Sequence, residues 1–231
     1  MRVHYLQHVP YENLANMEAW LKKRGHKLNR TLLYDNQELP DVNSFDWLII
    51  MGGPMNIYEH EQYPWLVMEK QFIKKAVKSG KLVLGVCLGA QLLSGCLGGR
   101  VKKNKYKEIG FFPVKLTKQG KTSRLFKGLP GEFTAMHWHG NTFSVPKGAK
   151  HLAQSKGCKN QAFSYKDRAF GLQFHFEYSP RHIGPFLKDP QNALAADKYV
   201  QNAGDIINNG KAFIATGSLM KAVLTNLEKM L

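Results

Sequence analysis

The spacing of hydrophobic positions changes repeatedly along the chain. Val3 to Val9 holds its apolar residues in an extended pattern and predicts a strand. Glu12 to Arg24 carries Leu14, Met17 and Leu21 at helical spacing, and Gly25 stops the run. Lys27 to Tyr34 is extended again and leads into a polar turn with Asp35, Asn36 and Pro40. From Asp46 to Met51 the residues are apolar almost without alternation, as a parallel strand covered on both faces requires. Gly52-Gly53-Pro54 ends that strand. A helix is predicted from Trp65 to Ser79, with Leu66, Phe72, Ile73 and Val77 inward and Gly80 closing it. Lys81 to Val86 is the next buried strand. Strands alternating with helices in this way predict an α/β fold with a doubly wound parallel sheet.

Beyond Glu108 the texture shifts to short strands: Phe111 to Leu116, Phe133 to His137, His151 to Ser155, Ala162 to Tyr165 and Ala169 to Phe176. From about Pro180 to Leu231 the pattern turns helical. Ser218 is placed to cap a last segment bearing Leu219, Val223 and Leu227 on one stripe. Internal repeats and Ser/Pro linkers are missing. The expectation is one domain over residues 1–231, with a core of about 1–184 and a helical extension of about 185–231.

Composition narrows this further. With 43% hydrophobic and 22% charged residues, the chain is a folded globule and not a disordered one. Leu82 to Gly99 is uncharged throughout, yet five glycines, Gln91 and Ser94 argue for a buried strand and helix over a membrane span. Three cysteines without a CxxC pair exclude a disulfide framework or zinc ribbon and fit a reducing compartment. The N-terminus enters a strand directly, without an apolar signal core, so the chain is expected to be cytoplasmic. Lys+Arg 33 against Asp+Glu 17 gives +16, but the basic residues are dispersed and form no nucleic-acid motif. They are better assigned to solvated faces than to a nucleic-acid surface.

Three short stretches carry candidate chemistry. Gly85-Val86-Cys87-Leu88-Gly89 lies between a buried strand and an apolar helix. A sharp turn there presents a nucleophile at the sheet's carboxyl edge, where a helix N-terminus favours negative sulfur. The Leu88 N–H would face an oxyanion. The same five residues also suit a small buried core thiol. Gln173-Phe174-His175-Phe176-Glu177 puts His175 and Glu177 on one face if the segment is a strand, so the carboxylate can fix the imidazole. An exposed pair at a strand end would look alike. Gly52-Gly53-Pro54 follows a buried strand and could supply a second oxyanion amide from Gly53. Nucleophile, oriented base and oxyanion donors together point to acyl transfer through a thioester.

These stretches also carry a family resemblance. Met51-Gly52-Gly53-Pro54, Leu84 to Leu93, Glu108-Ile109-Gly110, His137-Trp138-His139-Gly140 and Gln173 to Glu177 occur in the order of the class I glutamine amidotransferases, the triad type. The chain resembles in particular stand-alone proteins similar to the amidotransferase domain of GMP synthase. The resemblance implies a flavodoxin-like, mostly parallel sheet with flanking helices. It implies that Cys87 attacks the side-chain amide of glutamine, His175 protonates the leaving ammonia and Glu177 orients His175. Gly53 and Leu88 would form the oxyanion hole, and Gly52, Gln91, His139 and Gly140 would contact the substrate. Phe176 stands where proline is common in the family, and Asn141 where many relatives have aspartate. Neither a phosphate loop nor a Ser-Gly-Gly-Val-Asp-Ser loop occurs, so a separate synthetase is the implied ammonia acceptor. No cofactor is implied.

Other assignments compete. His137 and His139, with His175 as a third, could hold a metal, although zinc sites usually group ligands more tightly. Cys96 and Cys158 read as structural, and Trp138, Phe111, Phe112 and Tyr106 as packing. Two alternative functions are a stand-alone γ-glutamyl peptidase and a non-catalytic basic binding module.

Overall fold

The computed structural model describes residues 1–188 and 194–231. The first half alternates as its periodicity predicts: β1 (Arg2–Gln7), α1 (Asn16–Lys23), β2 (Lys27–Leu32), β3 (Trp47–Ile50), α2 (Trp65–Lys78), β4 (Leu82–Val86) and α3 (Leu88–Cys96). There follow β5 (Val101–Leu116), α4 (Lys118–Lys121), β6 (Glu132–Phe143), β7 (Ala149–Ser155), β8 (Ala162–Tyr165) and β9 (Ala169–Leu172). The chain ends with α5 (Pro180–Lys188), α6 (Ala203–Ile207) and α7 (Gly210–Glu228).

The strands form one sheet in the order β2-β1-β3-β4-β9-β8-β7-β5-β6. The first five pair in parallel and reproduce the 2-1-3-4-5 order of flavodoxin-like folds. The remaining pairings are antiparallel, so by direction only β5 and β8 run against the rest. Apolar β3 follows from burial on both faces. Trp47 and Ile49 pack with Leu14, Met17 and Leu21 of the α1 side and with Val223 and Leu227 of α7. Leu48 and Ile50 pack on the opposite face with Leu66 and Ile73 of α2 and Leu92 of α3.

Several boundaries depart from the sequence expectation, each for a local reason. Helix α1 begins at Asn16, not Glu12. The Asn13 side chain accepts the Ala15 N–H at 2.8 Å, Ala15 takes φ 47°, and the Asn16 N–H is drawn to the Glu177 carbonyl. Strand β5 starts ten residues before Phe111, because pairing with β6 holds a lysine-rich stretch whose pattern is broken by a bulge between Lys103 and Glu108. Strand β9 stops at Leu172. The segment through Phe176 is tied instead to β6 by reciprocal hydrogen bonds between His175 and Met136. Ser218 caps nothing: α7 is capped by Asn209, and the Ser218 hydroxyl donates to the Ile214 carbonyl inside the helix. The helical expectation for the tail holds at α5, α6 and α7; residues 189–193 lie outside the described residues.

Candidate active site

Strand β4 delivers Cys87 to the carboxyl edge of the sheet, where α3 begins. Cys87 is the N-cap of α3 with φ 52° and ψ −106°, a strained conformation for a residue with a side chain. The flanking glycines make the turn possible. A Cβ on Gly85 would lie 2.4 Å from the Gly89 carbonyl oxygen, and one on Gly89 would lie 2.1 Å from that of Ile50. Strand, turn and helix therefore pack backbone to backbone, and the elbow is held by a 2.7 Å bond from the Cys87 N–H to Leu172. Leu88 is the first residue of α3, so its N–H has no partner within the helix.

A cavity of about 240 Å³ opens over the thiol. Cys87, Gly53, Gln91, His139, Gly140 and His175 all line it, so most of the residues singled out in sequence meet at one place. The Cys87 sulfur lies 3.7 Å from both the Trp138 carbonyl and the Gln173 amide nitrogen. Gln173 also accepts a 3.2 Å bond from Gln91, which fixes that side chain in the wall.

Behind the cavity, Glu177 meets His175 Nδ1 at 2.6 Å and its second oxygen accepts the Phe176 N–H at 3.0 Å. Both side chains are fully buried. Burial opposes a charge on His175. The Glu177 carboxylate and the Cys87 sulfur outweigh it and hold the imidazole well above its usual pKa range. His175 Nε2 is buried without a protein hydrogen-bond partner. Phe174 and Phe176 point into the core instead, which preserves the expected division of faces although the segment is no regular strand.

The glycine turn is anchored from below. His8, in the loop after β1, contacts the Gly52 carbonyl at 2.9 Å through Nδ1 and Glu69 of α2 at 2.8 Å through Nε2. Gly52 carbonyl and Gly53 N–H belong to one planar peptide, so this contact sets the direction of the Gly53 N–H. The His8 pKa is shifted by opposed effects: burial lowers it, and Glu69 more than compensates.

His139 is held by Asn141, whose carbonyl lies 3.0 Å from Nδ1, and by Glu108, 3.1 Å from Nε2. Glu108, His137 and His139 bring ligand atoms within 4.8 Å of one another, with Glu108 in the place given to His175 by sequence. Both Glu108 oxygens already accept bonds, from Ser155 and Gln161 at 2.6 Å each. The cluster therefore serves as a hydrogen-bonded wall that positions His139. Burial pushes His137 down to about 3, so it stands there as a neutral ring.

Sequence reading missed Glu12, Tyr178 and His8. His8 and Glu12 follow a buried parallel strand at its carboxyl end, the position where such sheets gather functional groups. The helical spacing that absorbed Glu12 hid that signal. Trp138, read as packing, also lines the cavity.

The flavodoxin-like core, with a cysteine elbow facing an imidazole and carboxylate across one cavity, defines an α/β protein built for chemistry at its carboxyl edge. Residues 11–189 match the family described as glutamine amidotransferase class-I, and the chain belongs to that family. Membership carries the family's general chemistry: hydrolysis of the glutamine amide and transfer of ammonia. The chain is 30% identical to the glutamine amidotransferase-like protein YfeJ of Salmonella typhimurium, over 96% of this chain and 90% of that protein. It is 34% identical to the glutamine-hydrolysing GMP synthase of Lactobacillus acidophilus over 59% of this chain, which spans only 25% of that enzyme. The crystal structure of a glutamine amidotransferase from Thermotoga maritima superimposes with a TM-score of 0.88 at 28% identity, covering 98% of this chain and 97% of that one. Among the described residues no helix is long and apolar enough to cross a membrane.

Proposed function

We propose that the chain hydrolyses the γ-amide of glutamine through a Cys87 thioester. The observation that carries this reading is Cys87 at a strained elbow in one cavity with His175, whose other ring nitrogen is held by buried Glu177. The Cys87 sulfur attacks the γ-carbonyl carbon, and the oxyanion is received by the N–H groups of Gly53 and Leu88. The C–N bond breaks as the protonated His175 gives its proton to the departing nitrogen, releasing ammonia. A water then loses a proton to His175 and attacks the thioester, freeing glutamate and the thiol. Glu177 keeps the imidazole oriented and supports its cation. Gly52, Gln91, His139 and Gly140 hold the remainder of glutamine.

We further infer a separate synthetase as ammonia acceptor, because residues 1–184 serve as the catalytic core and 185–231 as its helical extension. The GMP synthases among the relatives couple such a unit to a synthesis, by their names. A cytoplasmic setting suits three free thiols. The test is glutamate and ammonia release from glutamine by the purified chain and by Cys87→Ser. Release by the parent and none by the variant supports the reading; equal release overturns it.

A further inference from the structure

Glu12 is a buried acid that the proposed reaction does not use. It is 7% exposed, lines the cavity beside Cys87 and His175, and makes no ion pair among the described residues. Its position is well determined. A Cβ on Gly52 would fall 2.0 Å from Glu12 Oε2 and 3.6 Å from the Cys87 Cβ, so the carboxyl fills the space a side chain at Gly52 would take, next to the nucleophile. Among the described residues its one hydrogen-bond donor is the Tyr178 hydroxyl, at 3.2 Å. The Tyr178 ring in turn stacks on His175, with centroids 4.5 Å apart and planes 22° from parallel. The carboxyl therefore sits on the flank of the cavity shared with His175.

That flank has a defined role in the reaction proposed above. The nitrogen that leaves must come within reach of His175 to take its proton. Whatever is bonded to that nitrogen must then occupy the space beside His175, against Glu12 and Tyr178. Ammonia brings nothing there. The departing amine of a γ-glutamyl peptide brings a carboxylate, which would face a buried acid with no cation beside it.

We propose that Glu12 and Tyr178 form a leaving-group subsite that accepts ammonia or a cationic amine and rejects amines bearing a carboxylate. The substrate class is then glutamine and related γ-glutamyl amides, not γ-glutamyl peptides. The inference rests on the glutaminase reading of the same site. Burial, reinforced by Glu177 and opposed by His175 and the Tyr178 hydrogen bond, raises the Glu12 pKa, in keeping with an acid that lacks a countercharge.

Three donors of similar size separate charge from bulk: γ-glutamyl-ethylamide, γ-glutamyl-glycine and the γ-glutamyl monoamide of ethylenediamine. Each is assayed as a substrate and as a competitor of glutamine hydrolysis, so that a donor that is not cleaved still yields an inhibition constant. The expected order of preference is cationic, then neutral, then anionic, with the anionic donor at least about tenfold worse than the neutral one. Glu12→Gln should keep glutamine turnover measurable and compress that order. Should Glu12→Gln fail to fold, the order in the parent chain still decides. An anionic donor that binds or reacts as well as the neutral one overturns the subsite while leaving glutamine hydrolysis intact. Absence of glutamine hydrolysis in the parent chain would overturn both readings.

Discussion

The three thiols differ in what surrounds them, and that difference can be measured. Burial pushes Cys96 up to about 12 and Cys158 up to about 11. Cys158 also shares a 3.1 Å contact with Thr142, and Cys96 lies 3.4 Å from the Lys70 carbonyl. Cys87 lines a cavity beside His175. A glutamine-like electrophile at neutral pH should therefore label Cys87 and spare the other two, as read by peptide mapping. Label on Cys96 or Cys158 ahead of Cys87 would contradict the assignment. Glu177→Gln tests the second member of the pair. Its amide can present an N–H to His175 where the carboxylate presented only acceptors, so the ring is offered the wrong tautomer and its cation loses support. Turnover should fall by about two to four orders of magnitude with the fold intact by circular dichroism. Near-normal turnover would remove Glu177 from the mechanism. At this scale the sequence was informative because the Gly-x-Cys-x-Gly and His-x-Glu spacings are local. Glu12 and His8 were not legible, since their partners Tyr178, Gly52 and Glu69 are distant in sequence and meet them only through the sheet.

Elements were legible where one period runs uninterrupted, and obscure where pairing or capping overrides it. Strands β3, β4 and β8 match their expected runs within a residue at each end, because both faces of each are buried. Strand β5 was half hidden, since Lys102, Lys103, Lys105 and Lys107 give no alternation and their pairing with β6 is set by backbone hydrogen bonds. The Asn209 cap of α7 was missed because Gly210 follows it, a poor helix residue that masks the start. Once formed, α7 lays Met220, Val223, Leu224 and Leu227 into the same core as β1, β3 and β4. If that contact stabilises the sheet, Leu224→Ala should cost about 2–5 kcal/mol in urea unfolding. A loss below about 1 kcal/mol would mark α7 as an appendage. The exposed neighbour Ile214, 74% accessible, provides a control expected to change stability little when replaced by Ala.

Across the whole molecule, the buried histidines divide into two groups with opposite effects on stability. Burial lowers His4 to about 4 and His137 to about 3, so both are neutral in the fold near neutral pH. His8 and His175 move the other way, because Glu69 and Glu177 favour their cations. In the unfolded chain each of the four titrates near the ordinary value, about 6.5. Below that pH the unfolded chain takes up protons that folded His4 and His137 refuse, so their contribution is whole above 6.5 and is lost as pH falls towards 4 and 3. His8 and His175 are protonated in both states there and add no slope; their contribution disappears instead as pH rises above 6.5 through their raised values. Each lowered histidine can contribute up to about 1.4 kcal/mol per pH unit over its window. Glu12, with its raised carboxyl pKa, acts against this acid loss, so the total slope alone does not isolate a histidine. A difference measurement does. His4 meets the Thr31 hydroxyl at 2.9 Å, a partner that glutamine can also reach. Urea unfolding of the parent and of His4→Gln at pH 7, 6 and 5 should show a parent that loses stability faster, with the gap between the two slopes approaching one proton. Parallel slopes would mean that His4 is charged in the fold.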